Sequence, residues 1–449
     1  MRSELGSASN TIVRTRSAFE RWYLTLTPIL LAACTPASGS EAEAIRLWAM
    51  GREGEVVAQL MPEFERENPG VRVRVQQIPW TAAHEKLLTA FVGDATPDIA
   101  MLGNTWVPEF EALGALEPLD PYVAASRSLT PEDFFAGVWN TNIVNDTVYG
   151  VPWYVDTRVL FYRTDLLEAA GYDSVPVTWA EWRTAMERMK ARMGPRQYPI
   201  LVPTNEWPPP VILGLQTGAP LLRDGGMYAW FTDPRFRQAF DFYVGLFNDG
   251  LAPKVSGAEV SNLYQEFARG NIAMYISGPW QIGEFRSRIP AAMQDTWMTA
   301  PLPGPDGPGV SMAGGASLVI FRGSKHKADA WKLAEYLSRP DVQLRFYELT
   351  GDLPTHRDAW NDTTLANNRH ARAFRTQLDR VVPLPKVPEW EQIATKVFEY
   401  GEQAVRGRRT VDQTLTALER DVNGLLEKRR WMAARAEERR NAGAPGAAP

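Results

Sequence analysis

Strand and helix patterns alternate from residue 45 onward, and this alternation constrains the fold more than any other feature of the sequence. An apolar run is followed by a helical pattern that Asn68-Pro69-Gly70 stops, and then by valines that alternate with polar residues. This βαβαβ order predicts a mainly parallel sheet with helices on its faces. The predicted elements are a strand at 45–50, a helix at 53–67, a strand at 71–76, a helix at 81–92 and a strand at 98–102.

An extended, aromatic-rich segment at 149–163 separates this unit from a second one. It has no helical period and too many interruptions for one ordinary strand, so we predict that it crosses between two lobes. The glycine- and proline-dense loop at 303–309 predicts a second crossing. Around these crossings the pattern predicts helices at 178–193, 234–248, 328–338 and 411–440, strands at 272–277, 296–302 and 317–321, and a disordered tail at 441–449.

Composition excludes several functional classes. The chain has 449 residues, 45% of them apolar, which is enough for two domains. Its net charge of −5 lacks the basic excess that phosphate backbones select for, so nucleic acid is not an expected partner. A single cysteine excludes internal disulfides, and the four histidines are too far apart for a short metal motif. We expect neither a metal nor a cofactor.

The N-terminal region has the pattern of an export signal. Arginines precede an apolar stretch at 22–33, which is too short to span a bilayer and ends in small residues before Cys34. Leu31-Ala32-Ala33-Cys34 resembles the bacterial lipoprotein box, which implies a signal peptide at 1–33 and lipidation of the Cys34 thiol. A plain secretory signal and an incidental buried thiol are the alternatives.

Residues 34–43 are rich in Ser, Ala, Gly and Glu, a composition that predicts a flexible tether. We therefore expect an exported protein, in the periplasm or on the outer cell surface, held to the membrane by a lipid anchor. The C-terminal segment at 429–449 combines a basic helix end with the predicted tail. We interpret the basic helix end as a solvated face.

An ordered set of short motifs between Ile45 and about Leu426 resembles the extracellular solute-binding proteins of carbohydrate ABC importers, the family of maltose- and trehalose-binding proteins. Each motif is weak alone, whereas the set in this order is specific. The motifs are Gly51-Arg52-Glu53, Pro97-Asp98-Ile99, Asn104-Thr105-Trp106, Tyr149-Gly150-Val151-Pro152, Leu160-Phe161-Tyr162-Arg163, Phe267-Ala268-Arg269-Gly270-Asn271, Gly278-Pro279-Trp280, Ala313-Gly314-Gly315, Leu353-Pro354-Thr355 and Pro388-Glu389-Trp390.

The resemblance implies an α/β, two-lobed periplasmic-binding-protein-like fold of type II, with discontinuous lobes joined by hinge crossovers. Lobe one would comprise 44–152 and 304–350, and lobe two 153–303 and 351–428. The family binds its sugar in the cleft between the lobes and delivers it to the transmembrane subunits of an ABC permease. The resemblance thus implies a monomeric, non-enzymatic binding protein for a di- or oligosaccharide.

A sugar presents apolar C–H faces and a ring of hydroxyls, so its site needs aromatic faces and planar polar side chains. Trp280 follows a Gly-Pro turn and matches the family's stacking tryptophan, although core packing is an equally frequent role for tryptophan. Trp182 and Trp331 lie at helical spacing among apolar residues, which indicates core positions.

Other candidates follow predicted strand ends, where ligands collect in such sheets. Glu53 is placed either to accept from a sugar hydroxyl or to compensate a helix dipole. By resemblance, Asn104 and Trp106 match a contact loop, and Arg357 matches an arginine of some trehalose-binding relatives. The remaining candidates are Tyr154 and Asp156 in the hinge segment and, with weaker support, Trp80, Gly315 and Trp390; Glu206-Trp207 either lines the cleft or only ends a loop.

Two alternatives remain open at this point. A secreted glycoside hydrolase would use two carboxylates, for which Glu53 and Asp156 are the candidates. Esterase and nucleotide-binding signatures, Gly-x-Ser-x-Gly and Gly-x-x-x-x-Gly-Lys-Ser/Thr, are absent from the sequence. Within the binding class, the ligand could instead be a polyol, a glycerophosphodiester or a peptide. A phosphorylated ligand would need basic groups in the cleft, and the sequence offers Arg52 and Arg357 there.

Overall fold

Two mixed β-sheets with helices on their faces organise the chain in this computed structural model, which describes residues 44–260 and 262–443. The predicted signal peptide, Cys34, the predicted tether and the last six residues lie outside the described residues. None of the helices in the described ranges combines the length and the apolar character that crossing a membrane requires.

The first part of the chain follows the predicted alternation, with one difference. The helix predicted at 53–67 is two helices joined by a short 3-10 turn at Val57–Gln59, and Pro62 lies in the first turn of the second helix, where its missing N–H costs nothing. The elements are β1 Ile45–Met50, α1 Gly51–Val56, α2 Met61–Glu67, β2 Val73–Ile78, α3 Trp80–Val92, β3 Ile99–Gly103, α4 Val107–Ala112, α5 Asp120–Ala125, α6 Ala136–Asn140, β4 Ile143–Val144, β5 Thr147–Val148 and β6 Val151–Val155.

The middle of the chain forms the second α/β unit. The predicted bounds of the helix at 234–248 and of the strand at 272–277 agree with those in the structure. The elements are β7 Val159–Arg163, α7 Thr164–Ala169, α8 Trp179–Lys190, β8 Tyr198–Leu201, α9 Pro208–Gln216, β9 Leu222–Arg223, β10 Tyr228–Ala229, α10 Pro234–Asn248, α11 Leu263–Ala268, β11 Ile272–Ser277, α12 Trp280–Arg288 and β12 Trp297–Ala300.

The last part of the chain returns to the first sheet and then ends in helices. The helix predicted at 411–440 is divided at Leu426, whose side chain is fully buried, and residues 441–443 continue the last helix instead of starting a disordered tail. The elements are β13 Ser311–Met312, β14 Gly315–Ile320, α13 Lys327–Ser338, α14 Pro340–Thr350, β15 Leu353–Pro354, α15 Thr363–Ala366, α16 Arg372–Leu378, β16 Val381–Val382, α17 Trp390–Val405, α18 Val411–Leu425 and α19 Glu427–Gly443.

The larger sheet has the strand order β15-β6-β14-β3-β1-β2. β1 runs parallel to β2 and β3, whereas β14 is antiparallel to β3 and β6, and β15 is antiparallel to β6. The prediction of a mainly parallel sheet was therefore wrong. The chain reaches β14 through a crossing from the other sheet and β15 after the two helices α13 and α14, and local sequence does not encode the direction of either strand.

The smaller sheet has the order β12-β7-β11-β8, and only β11 and β8 among these neighbours are parallel. β6 ends in the larger sheet at Val155 and β7 begins in the smaller sheet at Val159, so the segment predicted to cross does cross, through Asp156, Thr157 and Arg158. The chain returns between β12 and β14, and it leaves the larger sheet again after β15. The predicted crossing at 149–163 is confirmed.

The loop at 303–309 still belongs to the second unit, because Gly304 exchanges backbone hydrogen bonds with Val177 and Trp179 beside α8. The second crossing therefore follows the predicted loop, at 310–314, where Gly314 accepts from the Asp156 N–H.

Each sheet has its own hydrophobic core. Leu47, Phe64 and Leu318 are buried around the larger sheet, and Trp182 and Phe240 are buried around the smaller one. A third cluster, which includes Phe161, Trp297, Leu353 and Phe374, lies where the strands of both sheets approach each other. Trp182 and Trp331 are both buried, as predicted. The lobe boundaries stay a prediction; the larger sheet includes β6 to Val155 as well as β15.

The start of β14 packs against the first crossing segment at unusually short range. A Cβ on Gly315 would overlap the Tyr154 carbonyl oxygen, and a Cβ on Gly314 would overlap the Asp156 carbonyl oxygen. Gly315 also has a φ of +138°, which side chains disfavour. The Asp156 N–H donates to the Gly314 carbonyl oxygen over 3.0 Å. This glycine pair holds the backbone of the crossing in place.

Gly315→Ala tests this packing. The added methyl group clashes with backbone and occupies a disfavoured φ, so we expect the free energy of unfolding in urea to fall by about 2–4 kcal/mol. Gly424→Ala in α18 is the matched control, because its Cβ meets nothing within 4 Å. That control should gain about 0.5–1 kcal/mol. A Gly315→Ala protein as stable as the wild type would contradict the close packing.

Candidate functional site

The turn after β1 brings Glu53 and Trp80 together. Gly51 has a φ of +53°, and a Cβ there would lie 2.7 Å from Trp80 Cδ1 and 2.9 Å from Glu53 Oε2, so only glycine fits. Burial raises the pKa of Glu53, while hydrogen bonds from the Tyr154 hydroxyl and the Trp80 indole partly offset this effect. The carboxylate therefore sits between two aromatic donors, and Trp80 keeps 39% of its surface exposed.

Tyr154 lies on β6, buried beside three carboxylates. Burial, and then the charges of Glu53, Asp352 and Asp156, raise its pKa far above the ordinary tyrosine value. The phenol thus stays protonated and serves as a donor to Glu53. Its backbone is the one that packs against Gly315. The prediction that Gly315 contacts ligand stays untested, and its observed contact is with this strand.

Asp156 and Arg158 face each other in the first crossing segment. Asp156 Oδ1 and Arg158 Nε are 3.5 Å apart, and both atoms are buried without a hydrogen-bond partner among the described residues. The pKa of Asp156 is raised to about 6, mainly by burial and to a smaller extent by the charges of Glu206 and Glu53, although the Arg158 charge opposes the rise. Burial also raises the pKa of Glu206, again opposed by Arg158. The Arg158 charge therefore stabilises the ionised forms of both Asp156 and Glu206.

Trp280 lies at the carboxyl end of β11, and the Arg158 guanidinium lies over its ring. Arg158 Cζ is 4.5 Å from the ring centroid, which is a cation–π distance. A Cβ on Gly278 would overlap the benzo edge of Trp280, so the glycine lets the ring fold back over the strand end. The Gly-Pro-Trp turn thus places an aromatic ring beside the crossing segment.

Three other predicted site residues have protein partners. Trp106 packs edge-on against Trp80 at 5.8 Å and against His84 at 5.0 Å. Buried Asn104 donates from Nδ2 to the Ala313 carbonyl oxygen over 2.8 Å. Trp390 is 1% exposed and meets Trp207 edge-on, yet its Nε1 has no hydrogen-bond partner in the described part of the chain.

Arg357 contacts a different set of residues from the other site candidates. It pairs with Asp379 at 3.8 Å and covers the Phe135 ring at 5.1 Å. Neither partner belongs to the carboxylate cluster of Glu53, Asp156, Glu206 and Asp352. The structure thus brings Glu53, Trp80, Tyr154, Asp156 and Trp280 together and keeps Arg357 with a different set of residues.

Sequence reasoning missed Asp352 and Arg158 and left Glu206 undecided. Asp352 follows the left-handed Gly351 that ends α14 and is 7% exposed. Its pKa is raised to about 8, first by burial and then by the Glu53 charge. The signal for Asp352 was its position beside the Leu353-Pro354-Thr355 motif, and that for Arg158 its spacing of two from Asp156. Among the described residues, no group of three or more His, Cys, Asp or Glu side chains is arranged to hold a metal ion.

Asp352 makes stability depend on pH. A carboxyl with a raised pKa keeps a proton that the unfolded chain releases, so its contribution to the free energy of unfolding declines as pH rises from about 4 to about 8. We expect Asp352→Asn to remove this decline, so that the stability of the variant relative to the wild type improves by at least about 1 kcal/mol between pH 5 and pH 8. Urea unfolding at both pH values measures the change.

Asp341→Asn, at the other end of α14, is the matched control. Arg339 lowers the pKa of Asp341, so this carboxylate is ionised at both pH values. Its replacement should lower stability by the same amount at pH 5 and pH 8. Parallel pH profiles for the Asp352→Asn variant and the wild type would show that Asp352 does not hold the extra proton.

Comparison with known proteins gives the family of this chain. The structure is similar to that of the sugar-binding protein MalE from the phytopathogen Xanthomonas citri, with a TM-score of 0.85 and 51% identity over 87% of this chain and 99% of that one. A diacetylchitobiose binding protein of Streptomyces coelicolor is 23% identical, over 88% of this chain and 91% of its own length.

An uncharacterized lipoprotein of Streptomyces antibioticus is 26% identical, over 83% of this chain and 85% of its own length. The family model that describes the bacterial extracellular solute-binding proteins matches residues 50–344. This match covers more than half of the chain, and the two sheets joined by crossings agree with it. The chain therefore belongs to the bacterial extracellular solute-binding proteins.

Proposed function

We propose that this protein captures a di- or oligosaccharide between its two lobes and delivers it to the transmembrane subunits of an ABC importer, without chemical conversion. The observation that carries the proposal is the cluster of aromatic rings and carboxylates around the crossing segment. Aromatic faces suit the C–H surfaces of a sugar, and carboxylates suit its hydroxyl donors. The sugar-binding protein from Xanthomonas citri and the diacetylchitobiose binding protein support this ligand class.

Trp280, Trp80 and Tyr154 provide the aromatic surfaces of the proposed site. A sugar ring that stacks on Trp280 from the Arg158 side would displace the guanidinium, which would remain close to Asp156 and Glu206. Asp156 Oδ1 and Arg158 Nε, which have no partner among the described side chains, would then hydrogen-bond to sugar hydroxyls. Burial of these two groups without hydrogen-bond partners costs free energy, and a polar ligand that hydrogen-bonds to them recovers part of that free energy.

The charge of the site argues against a phosphodiester ligand. Four carboxyl groups, those of Glu53, Asp156, Glu206 and Asp352, share two guanidinium groups: the Arg158 charge acts on Asp156 and Glu206, and the Arg52 charge acts on Glu53 and Asp352. An anionic ligand would be repelled by the ionised carboxylates, and the two guanidinium groups that could attract it are already shared among these carboxyl groups. A neutral polyhydroxyl ligand avoids this repulsion, and we propose that class for the site.

Closure follows from contacts on both sides of the crossing. Glu53 lies after β1 in the larger sheet and Glu206 after β8 in the smaller one, so a ligand that touches both favours the closed arrangement. Thr105 Oγ1 donates to Glu391 Oε1 over 2.6 Å and ties the end of β3 to α17. The permease would recognise this closed arrangement.

Thermal unfolding of residues 35–449 against a panel of sugars, glycerophosphodiesters and peptides tests the ligand class. A ligand at about 100 times its Kd should stabilise the protein by about 2.7 kcal/mol, which corresponds to a shift of several degrees in Tm. Trp280→Ala should weaken sugar binding about tenfold, because it removes a stacking surface worth about 1–1.5 kcal/mol.

Trp431→Ala, at an exposed tryptophan of α19, is the control and should bind sugar like the wild type. Chromatography of each mixture shows whether the sugar is unchanged. Cleaved sugar would support a glycoside hydrolase instead. A shift in Tm with peptides or phosphodiesters alone would overturn the sugar assignment and leave the fold unaffected.

We further propose that the protein is exported and anchored through a lipid on Cys34, as the lipoprotein box implies and as the lipoprotein relative from Streptomyces antibioticus supports. Cys34→Ser should move the protein from the membrane fraction to the soluble fraction, because the thiol is the attachment point of the lipid. Immunoblots of the two fractions measure this change. An unchanged distribution would contradict lipidation at Cys34.

A further inference from the structure

The last helix, α19, exposes a basic and aromatic face that the proposed sugar site does not use. Trp431 and Met432 are each 55% exposed, the largest such fractions for aromatic or methionine side chains among the exposed hydrophobic residues described. Lys428 and Arg435 are also exposed. Because residues three and four apart share one side of a helix, Lys428, Met432 and Arg435 form one row, with Trp431 beside them. We call these four residues the α19 face.

The opposite side of α19 attaches the helix to the body of the protein. Arg429 Nε pairs with Glu389 Oε2 at 3.2 Å. Arg430 donates to the Met227 carbonyl oxygen over 2.9 Å and to the Asn423 carbonyl oxygen over 2.7 Å, and its guanidinium covers the Tyr228 ring. These contacts fix the rotation of the helix, so the α19 face points away from the body at its start.

The α19 face is basic although the whole chain is acidic, with a net charge of −5. At 100° per residue, Lys428 and Arg435 fall inside the sector that runs from Trp431 to Met432, Glu427 and Glu438 border its Trp431 edge, and Glu437 lies on the opposite side of the helix. Arg435 Cζ lies 4.4 Å from the Trp431 ring centroid, so a cation and an aromatic ring are presented together.

We propose that the α19 face docks on the anionic headgroups of a phospholipid membrane. Lysine and arginine are attracted to anionic lipids, and tryptophan partitions into the boundary between headgroups and acyl chains. Two adjacent, exposed large apolar side chains, Trp431 and Met432, match this boundary better than they match water. The contact would orient the body relative to the membrane, and it depends neither on lipidation of Cys34 nor on the identity of the ligand.

Flotation of residues 35–449, which lack the lipidation site, with phospholipid vesicles tests this proposal. We expect binding to vesicles of three parts phosphatidylcholine and one part phosphatidylglycerol in 0.05 M salt, and we expect its loss at about 0.5 M salt, because screening weakens the attraction. Pure phosphatidylcholine vesicles should bind at least about tenfold less. Trp431→Ser should weaken the binding to anionic vesicles about threefold or more.

Lys428→Glu combined with Arg435→Glu should reduce binding to anionic vesicles about tenfold or more. Arg74→Glu combined with Arg127→Glu is the matched control, since both arginines are exposed and the net charge changes equally. Unchanged Tm values confirm that both proteins are folded. Equal effects of the two double variants would overturn the proposal by assigning the binding to net charge. No binding of the wild type in 0.05 M salt would overturn it too and favour a protein partner for this face.

Discussion

The close packing of Gly314 and Gly315 against the backbone of Tyr154 to Asp156 is the contact on which the site depends. It brings the strand that returns from the smaller sheet against the strand that is about to leave for it. Side chains larger than hydrogen would push these strands apart. Tyr154 and Asp156 lie in this packed segment, and Arg158 follows it by two residues. The backbone contact therefore sets where the hydrogen-bonding groups of these three side chains begin.

Burial then gives the site its chemistry. Desolvation is the largest cause of the raised pKa of Glu53, Asp156, Glu206 and Asp352. Neighbouring carboxyl groups raise the pKa further at Asp156 and Asp352. The Arg158 charge limits the effect at Asp156 and Glu206. A site of this kind holds polar groups at a free-energy cost, and a polar ligand that completes their hydrogen bonds recovers part of that cost. The same property links stability to pH through Asp352.

Local patterns predicted elements better than pairings. The bounds of α10 and β11 follow from apolar periodicity and from flanking turn residues, which are local signals. The direction of β14 depends on a partner strand far away in sequence, so the sheet was predicted as parallel and is mixed. The site shows the same division. Trp280 and Glu53 follow recognisable turns, whereas Asp352 joins them only because β15 pairs with β6.

By itself, the sequence determined that the chain has two α/β units joined by crossings, that it resembles the sugar-importer binding proteins, and that aromatic and acidic residues follow the strand ends. Only the tertiary structure decided which of those residues meet. It placed Arg158 on Trp280 and paired Arg357 with Asp379. The physical reason is that hydrophobic periodicity is a local property of the sequence. Contact between distant side chains depends instead on strand order, on close backbone packing and on the balance between burial and charge.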